Sequence, residues 1–161
     1  MGARRSGREA ALQMLFQLEA SGASAARTIE LFWRASTDVD FEPDPEGRSY
    51  ADTLVRGVAD NLADVDKRIT QASQNWRLER MGRVDRNLLR MGTWELMAMK
   101  DVPRAVVIDE AVELAKTYGT EDSSSFVNGV LDRIATNLGR TDDDRAGDTS
   151  SKAKGGGKGN G

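Results

Sequence analysis

The stretch DVPRAVVIDEAVELAKTYGTEDSSSFVNGVL, Asp101 to Leu131, decides the fold, because it writes two amphipathic helices back to back around a short acidic, serine-rich connection. Pro103 suits a first helical position, where its missing N–H costs nothing, and Gly119 suits a left-handed residue that closes the helix. Between them Val107, Ile108, Ala111, Leu114, Ala115 and Tyr118 recur at helical spacing and predict one apolar stripe. The polar run Thr120, Glu121, Asp122, Ser123 offers N-caps, after which Val127, Val130, Leu131, Ile134 and Leu138 draw a second stripe. Phe126 falls on the rim of that stripe, on the side leading back toward Asp122, and is a candidate contact surface. Asn128-Gly129 looks like a turn signal, yet the stripe runs through it, so Gly129 is expected to permit close helix packing.

Upstream the same period recurs. Ser6-Gly7-Arg8-Glu9 has the S-x-x-E form of a capping box, and Ala11, Leu12, Leu15 and Leu18 mark an apolar face ending near Ser21-Gly22. Ile29, Phe32 and Trp33 predict a second helix, and the acidic segment Thr37 to Gly47, with two of the three prolines, reads as a loop. Ala51, Leu54, Val55, Val58, Leu62, Val65 and Ile69 keep a helical period, and Asn61 to Asp64 leaves one helix or two open. Trp76 to Met81 makes a connection before the face of Val84, Leu88, Met91 and Met99. No β-branched alternating run competes, so the expected fold is all-α, a compact bundle of roughly seven helices. That domain spans residues 1–140; residues 141–161, ending GGGKGNG, are too poor in apolar side chains to repay ordering and form an expected disordered tail.

Composition removes several classes of function. With 161 residues, 39% hydrophobic and 30% charged, the chain can build one proper core. A net charge of -3 means that any affinity for phosphate must come from a local cluster of Arg or Lys. The absence of Cys and His removes thiol nucleophiles, disulfides, imidazole bases and the usual zinc ligands, and no cofactor is expected. No apolar run approaches the roughly 20 residues that span a bilayer. Glu9, Gln13, Gln17 and Glu19 interrupt any leader-like apolar region, so a cytoplasmic protein without a membrane partner is expected.

A few residues carry more than one reading. Arg4, Arg5 and Arg8 sit before or within a first helical turn, where the helix dipole disfavours positive charge. They read either as a solvated terminus or as an arm that contacts phosphates and fixes an RNA or DNA strand. Phe16 lies on the rim of the same helix's apolar face and reads as core margin or as a stacking surface. Glu95 sits in the middle of an apolar face, where a carboxylate is costly unless paired, and is read as a structural ion pair or cap to another helix. Arg77, Arg80, Arg83, Arg86 and Arg90, spaced in threes and fours, line a helical surface that is solvated or faces an acidic or nucleic-acid partner.

Taken together, GREAALQMLFQ at Gly7 to Gln17, WRLERMGRVDRNLLRMGTWEL at Trp76 to Leu96, DVPRAVVIDEAVELAKTYG at Asp101 to Gly119 and EDSSSFVNGVLD at Glu121 to Asp132 closely resemble the bacterial NusB family of transcription antitermination factors. The resemblance runs from Arg4 to about Leu138. It implies two packed helical bundles, no enzymatic activity, and a complex with ribosomal protein NusE that binds the boxA sequence of nascent ribosomal RNA and joins an RNA polymerase antitermination assembly. It further implies an RNA surface built from Arg4, Arg5, Arg8, Phe16, Asp122 and Phe126, and a partner-facing role for Asp85. Ser124-Ser125 stands where the family often has a basic pair, which implies weak RNA affinity without the partner. Two alternatives stay open: a NusB-like helical domain serving only as a protein-interaction module, and a homodimer whose interface hides the RNA surface.

Overall fold

The computed structural model describes residues 2–36, 44–74 and 76–141. Among the described residues seven α-helices follow one another: α1 Ala3–Ser21, α2 Ala25–Ser36, α3 Pro45–Asp60, α4 Leu62–Ala72, α5 Arg83–Ala98, α6 Arg104–Tyr118 and α7 Ser123–Asn137, with a 3-10 turn at Leu78–Arg80. No strand occurs among the described residues, so the all-α expectation holds. The expected tail lies outside the described residues, apart from its first residue, as does most of the expected loop at 37–47; Pro45 to Gly47 belong to α3, capped by the Asp44 carboxylate accepting from the Gly47 N–H at 2.9 Å.

α5 is the central helix and packs against α1, α3, α4, α6 and α7, while α1 lies along α3 and α6 along α7. Met14, Leu54, Ile69, Leu88, Leu89, Leu96, Leu131 and Ile134 are among the sealed core side chains. The close helix approaches are made at glycines. A Cβ on Gly57 would lie 2.1 Å from the Trp94 ring, and one on Gly92 would lie 2.9 Å from Leu131. Gly129, expected to serve this purpose, is instead exposed with open space around it.

Several helix boundaries depart from the sequence reading for identifiable reasons. α1 starts at Ala3 with Gly2 as its N-cap, so Ser6 is already helical, donates its N–H to the Gly2 carbonyl, and forms no capping box. The extra turn brings Arg4 and Arg5 within reach of carboxylates on the α5–α6 connection and on α6. The long period after Ser49 is two helices, broken at Asn61, whose side-chain amide donates to the Gly57 carbonyl at 2.8 Å. Pro103 is the N-cap of α6, one position before the expected place. Gly119 is extended (φ -94, ψ -164) and not left-handed. A side chain is excluded there by contact, since a Cβ would lie 2.4 Å from Ser123 Oγ and 2.8 Å from the Ala115 carbonyl.

Candidate nucleic-acid interface

The expected surface begins on α1. At 100° per residue Arg5, Glu9 and Phe16 lie within about 40° of one another, so they form one stripe along the helix. Two of them reach α6 and the third reaches α5. Arg5 donates through Nε and Nη2 to the Glu110 carboxylate on α6 at 3.0 and 2.6 Å. The Glu9 carboxylate accepts from the Tyr118 hydroxyl, at the end of α6, at 2.6 Å. The Phe16 ring, 39% exposed, carries the Arg83 guanidinium 5.6 Å from its centroid, at the start of α5. Tyr118 therefore does not complete the buried stripe of α6; it is exposed and couples α6 to α1. The Glu9 hydrogen bond, with burial next, pushes its phenol up to about 12.

The arginine arm divides into two kinds of residue. Arg4 and Arg5 are exposed, Arg4 lying 3.7 Å from Asp101 and 5.0 Å over the Tyr50 ring. The hydrogen bond from Arg5 holds the Glu110 carboxyl below its ordinary range. Arg8 corrects the sequence reading of an exposed arm: its side chain is buried, donating through Nε and Nη2 to Glu95 at 3.0 and 2.8 Å and through Nη2 to the Tyr50 hydroxyl at 3.2 Å. Tyr50 in turn donates to Glu95 at 2.5 Å. Burial acts to lower the Arg8 pKa, but the Glu95 hydrogen bond and charge, together with Tyr50 and Glu110, raise it. Tyr50 is pushed well above its ordinary range by burial and then by the Glu95 charge. Glu95, read from sequence as a structural pair to another helix, is that pair.

The remaining expected residues meet in a groove. Asp85 on α5, Asp122 at the head of α7 and Phe126 one turn further line a cavity of about 550 Å³ together with Trp76, Arg80 and Gly129. Asp122 is exposed and Phe126 and Asp85 are half-buried. The joint that presents them is fixed by Ser123, which is buried and accepts the Thr120 N–H on its Oγ at 2.9 Å, while Asp122 makes no side-chain cap. Thus the expected partner residue and two of the expected RNA residues share one groove.

The groove also contains what the sequence reading passed over. Trp76, treated there as connection, is 54% exposed and lies 6.3 Å from the Phe126 ring at an interplanar angle of 58°. The arginine run splits as well. Arg86 bonds Glu19 and the carbonyls of Leu78 and Met81, and Arg90 grips Asp66 at 2.8 and 2.9 Å, so both are structural. Arg77, Arg80 and Arg83 are exposed and make no salt bridge among the described residues. Among the described residues no group of acidic side chains could hold a metal ion, and no helix is long and apolar enough to cross a membrane.

Comparison with known proteins gives a consistent assignment. A family model described as NusB family matches residues 5–136. The transcription antitermination protein NusB of Sorangium cellulosum (strain So ce56) is 66% identical over 145 residues, covering 90% of this chain and 100% of that protein. Among solved structures, T. maritima NusB is 40% identical with a TM-score of 0.72, covering 83% of this chain and 90% of that one. A chain from the crystal structure of antitermination factors NusB and NusE in complex with dsRNA is 28% identical with a TM-score of 0.73, covering 84% and 97%.

Proposed function

The chain belongs to the NusB family, and from that premise we propose that it is a noncatalytic, RNA-binding antitermination factor. With ribosomal protein NusE it binds boxA RNA of nascent ribosomal RNA transcripts in the cytoplasm, joins the RNA polymerase antitermination complex and supports processive transcription. The observation that carries this reading is the α1 stripe: Arg5 and Glu9 tie to α6, and Phe16 meets Arg83 of α5, the residue after Gly82 of the Phe126 groove. Arginines on such a path would position the RNA backbone, and the aromatic rings would take bases. The solved assembly of NusB and NusE with dsRNA supports the choice of RNA and NusE as partners.

One observation favours a second reading. Each arginine of the arm already faces a carboxylate, Arg4 with Asp101, Arg5 with Glu110 and Arg8 with Glu95, which lowers its pull on phosphate. A helical module that binds NusE without touching RNA would need no more than this. The deciding measurement is RNA binding by this chain, NusE and their mixture to single-stranded boxA RNA. Our reading expects the mixture to bind more tightly than either protein. A stable complex with NusE whose RNA affinity does not exceed that of NusE alone would select the interaction module. Sedimentation of the free chain decides between a monomer and a homodimer.

A further inference from the structure

The aromatic pair at the groove mouth has a geometry that selects how it could be used. A base inserted between two rings needs parallel faces separated by about twice the ~3.4 Å rise of stacked bases. Trp76 and Phe126 are 6.3 Å apart but tilted by 58°, so no base fits between them. Phe126, half-buried, instead lies against Trp76, whose side chain keeps 54% of its surface exposed.

Described residues on both sides of the ring make hydrogen bonds. The Trp76 backbone N–H donates to the Ser73 carbonyl at 3.2 Å, and the Ser73 hydroxyl lies within donating distance of the carbonyls of Trp76 (3.2 Å) and Thr70 (3.3 Å). Gln74 between them holds a left-handed backbone (φ 55), a conformation uncommon outside glycine. Downstream, Arg86 pins the 3-10 turn by donating to the Leu78 and Met81 carbonyls at 2.8 and 2.9 Å. These bonds hold described backbone around Trp76 while its ring stays exposed, which reduces the ordering cost of any contact it makes.

Charge identifies the occupant. Arg80 ends the 3-10 turn Leu78–Arg80 and lines the groove, and Arg77 is the extended residue immediately before that turn. Both are exposed, without a salt bridge among the described residues. Asp85 and Asp122 line the groove itself. A polyanion would keep its phosphates on the arginine rim, away from these carboxylates, and turn a base inward. Gly129, exposed and with open space at its Cβ position, leaves room for it.

We propose that Trp76 is a nucleobase-stacking residue: one unpaired base of a single-stranded RNA lies on its outward face, and Arg77 and Arg80 hold the flanking phosphates. This rests on the RNA-binding reading and adds to it a position beyond the α1 arm and Phe126. The test uses the full chain with NusE and a fluorescein-labelled single-stranded boxA RNA, together with versions of that RNA made abasic at one position at a time. Trp76→Ala is expected to weaken binding roughly 5- to 150-fold with the salt dependence unchanged, the size of one lost base–aromatic stack. Trp76→Leu, which keeps apolar bulk without a π-face, should bind like Trp76→Ala, and Trp76→Phe should recover most of the loss. One abasic position should be insensitive to Trp76→Ala while the others remain sensitive.

Full RNA affinity in Trp76→Ala and Trp76→Leu, with Arg5→Ala or Phe126→Ala impaired, would remove Trp76 from the RNA surface and leave the function standing. Weakened NusE binding by these Trp76 variants in the absence of RNA would overturn the proposal in favour of a protein contact. Failure of the unmutated chain to add any RNA affinity to NusE would overturn the functional reading itself, and this inference with it.

Discussion

The guanidinium of Arg8 and the carboxylate of Glu95 meet 2.8 Å apart across the contact of α1 and α5, with 3% and 1% of their side chains exposed. Tyr50 of α3 closes the set, accepting from Arg8 and donating to Glu95, so three helices are joined by one polar cluster inside an apolar core. Both charges are satisfied by each other, which is the condition under which burial of either is tolerable.

Removing one partner therefore strands the other. Glu95→Ala should cost about 3–5 kcal/mol, the range for breaking a buried pair, read as a lower urea midpoint with an unchanged slope. Arg8→Ala should show a loss of similar size and no change in the salt dependence of RNA binding by the folded fraction. A melting temperature indistinguishable from the parent in either variant would contradict the pair's structural role.

Glycine substitutions test the packing at two positions with opposite expectations. Gly57→Ala places a methyl 2.1 Å from the Trp94 ring and should destabilise by about 1–3 kcal/mol through forced displacement. Gly129→Ala meets nothing within 4 Å and should stabilise α7 by roughly 0.5–1 kcal/mol through lower backbone entropy. Thermal melts of the two variants should move in opposite directions.

Acid sensitivity follows from Glu19, which accepts from Arg86 at 2.6 Å and from Arg90 at 3.2 Å and links α1 to α5. The Arg86 hydrogen bond holds its pKa below 4.5, against the opposing effect of partial burial. A depressed carboxyl stabilises the fold above the unfolded-state value of 4.5 and loses that contribution as pH falls through the lower folded value. Urea midpoints measured from neutral pH downward should therefore fall below pH 4.5, and Glu19→Gln should be less stable near neutrality with a flatter acid limb. An equally steep limb in Glu19→Gln would assign the acid loss to other groups.

Asp85 lies in the first turn of α5 and lines the groove without forming a salt bridge among the described residues. If it faces NusE, Asp85→Lys should weaken that complex by charge reversal while costing only about 0.3–1 kcal/mol of stability at the helix start. Calorimetric titration with NusE checks this, and undiminished affinity in the folded variant would dismiss the assignment.

The fold was largely legible because helical period and burial coincide: Val107, Ile108, Ala111, Leu114 and Ala115 are buried as their spacing predicts, as are Val127, Val130, Leu131 and Ile134. Glu95 was legible as a paired carboxylate from its place on an apolar face, but its partner was not, since Arg8 is 87 positions away and only the packing of α1 on α5 brings it there. The same distance hid the burial of Arg8, which sequence groups with Arg4 and Arg5. Trp76 was missed because a connection has no period from which to infer exposure. Gly119 and Gly129 were misread because glycine signals both conformational freedom and close approach, and only the neighbours, Ser123 in one case and open space in the other, decide between them.

The two chemistries proposed for the RNA surface separate by their response to salt. Arg5 would contribute through phosphate, so Arg5→Ala should weaken boxA binding most at low salt and reduce the slope of log affinity against log salt by roughly 0.7 for each phosphate no longer neutralised. Glu110→Gln should act in the reverse sense, because the carboxylate that now occupies Arg5 at 2.6 Å is neutralised and the guanidinium is released to the RNA. Phe126→Ala would remove stacking, about 1–3 kcal/mol per base, at every ionic strength with the slope preserved. Affinities across a salt series for the three variants, each mixed with NusE, distinguish these outcomes. A Glu110→Gln variant that binds RNA no better than the parent at low salt would show that Arg5 does not touch phosphate, and the arm would then reduce to a clasp between α1 and α6.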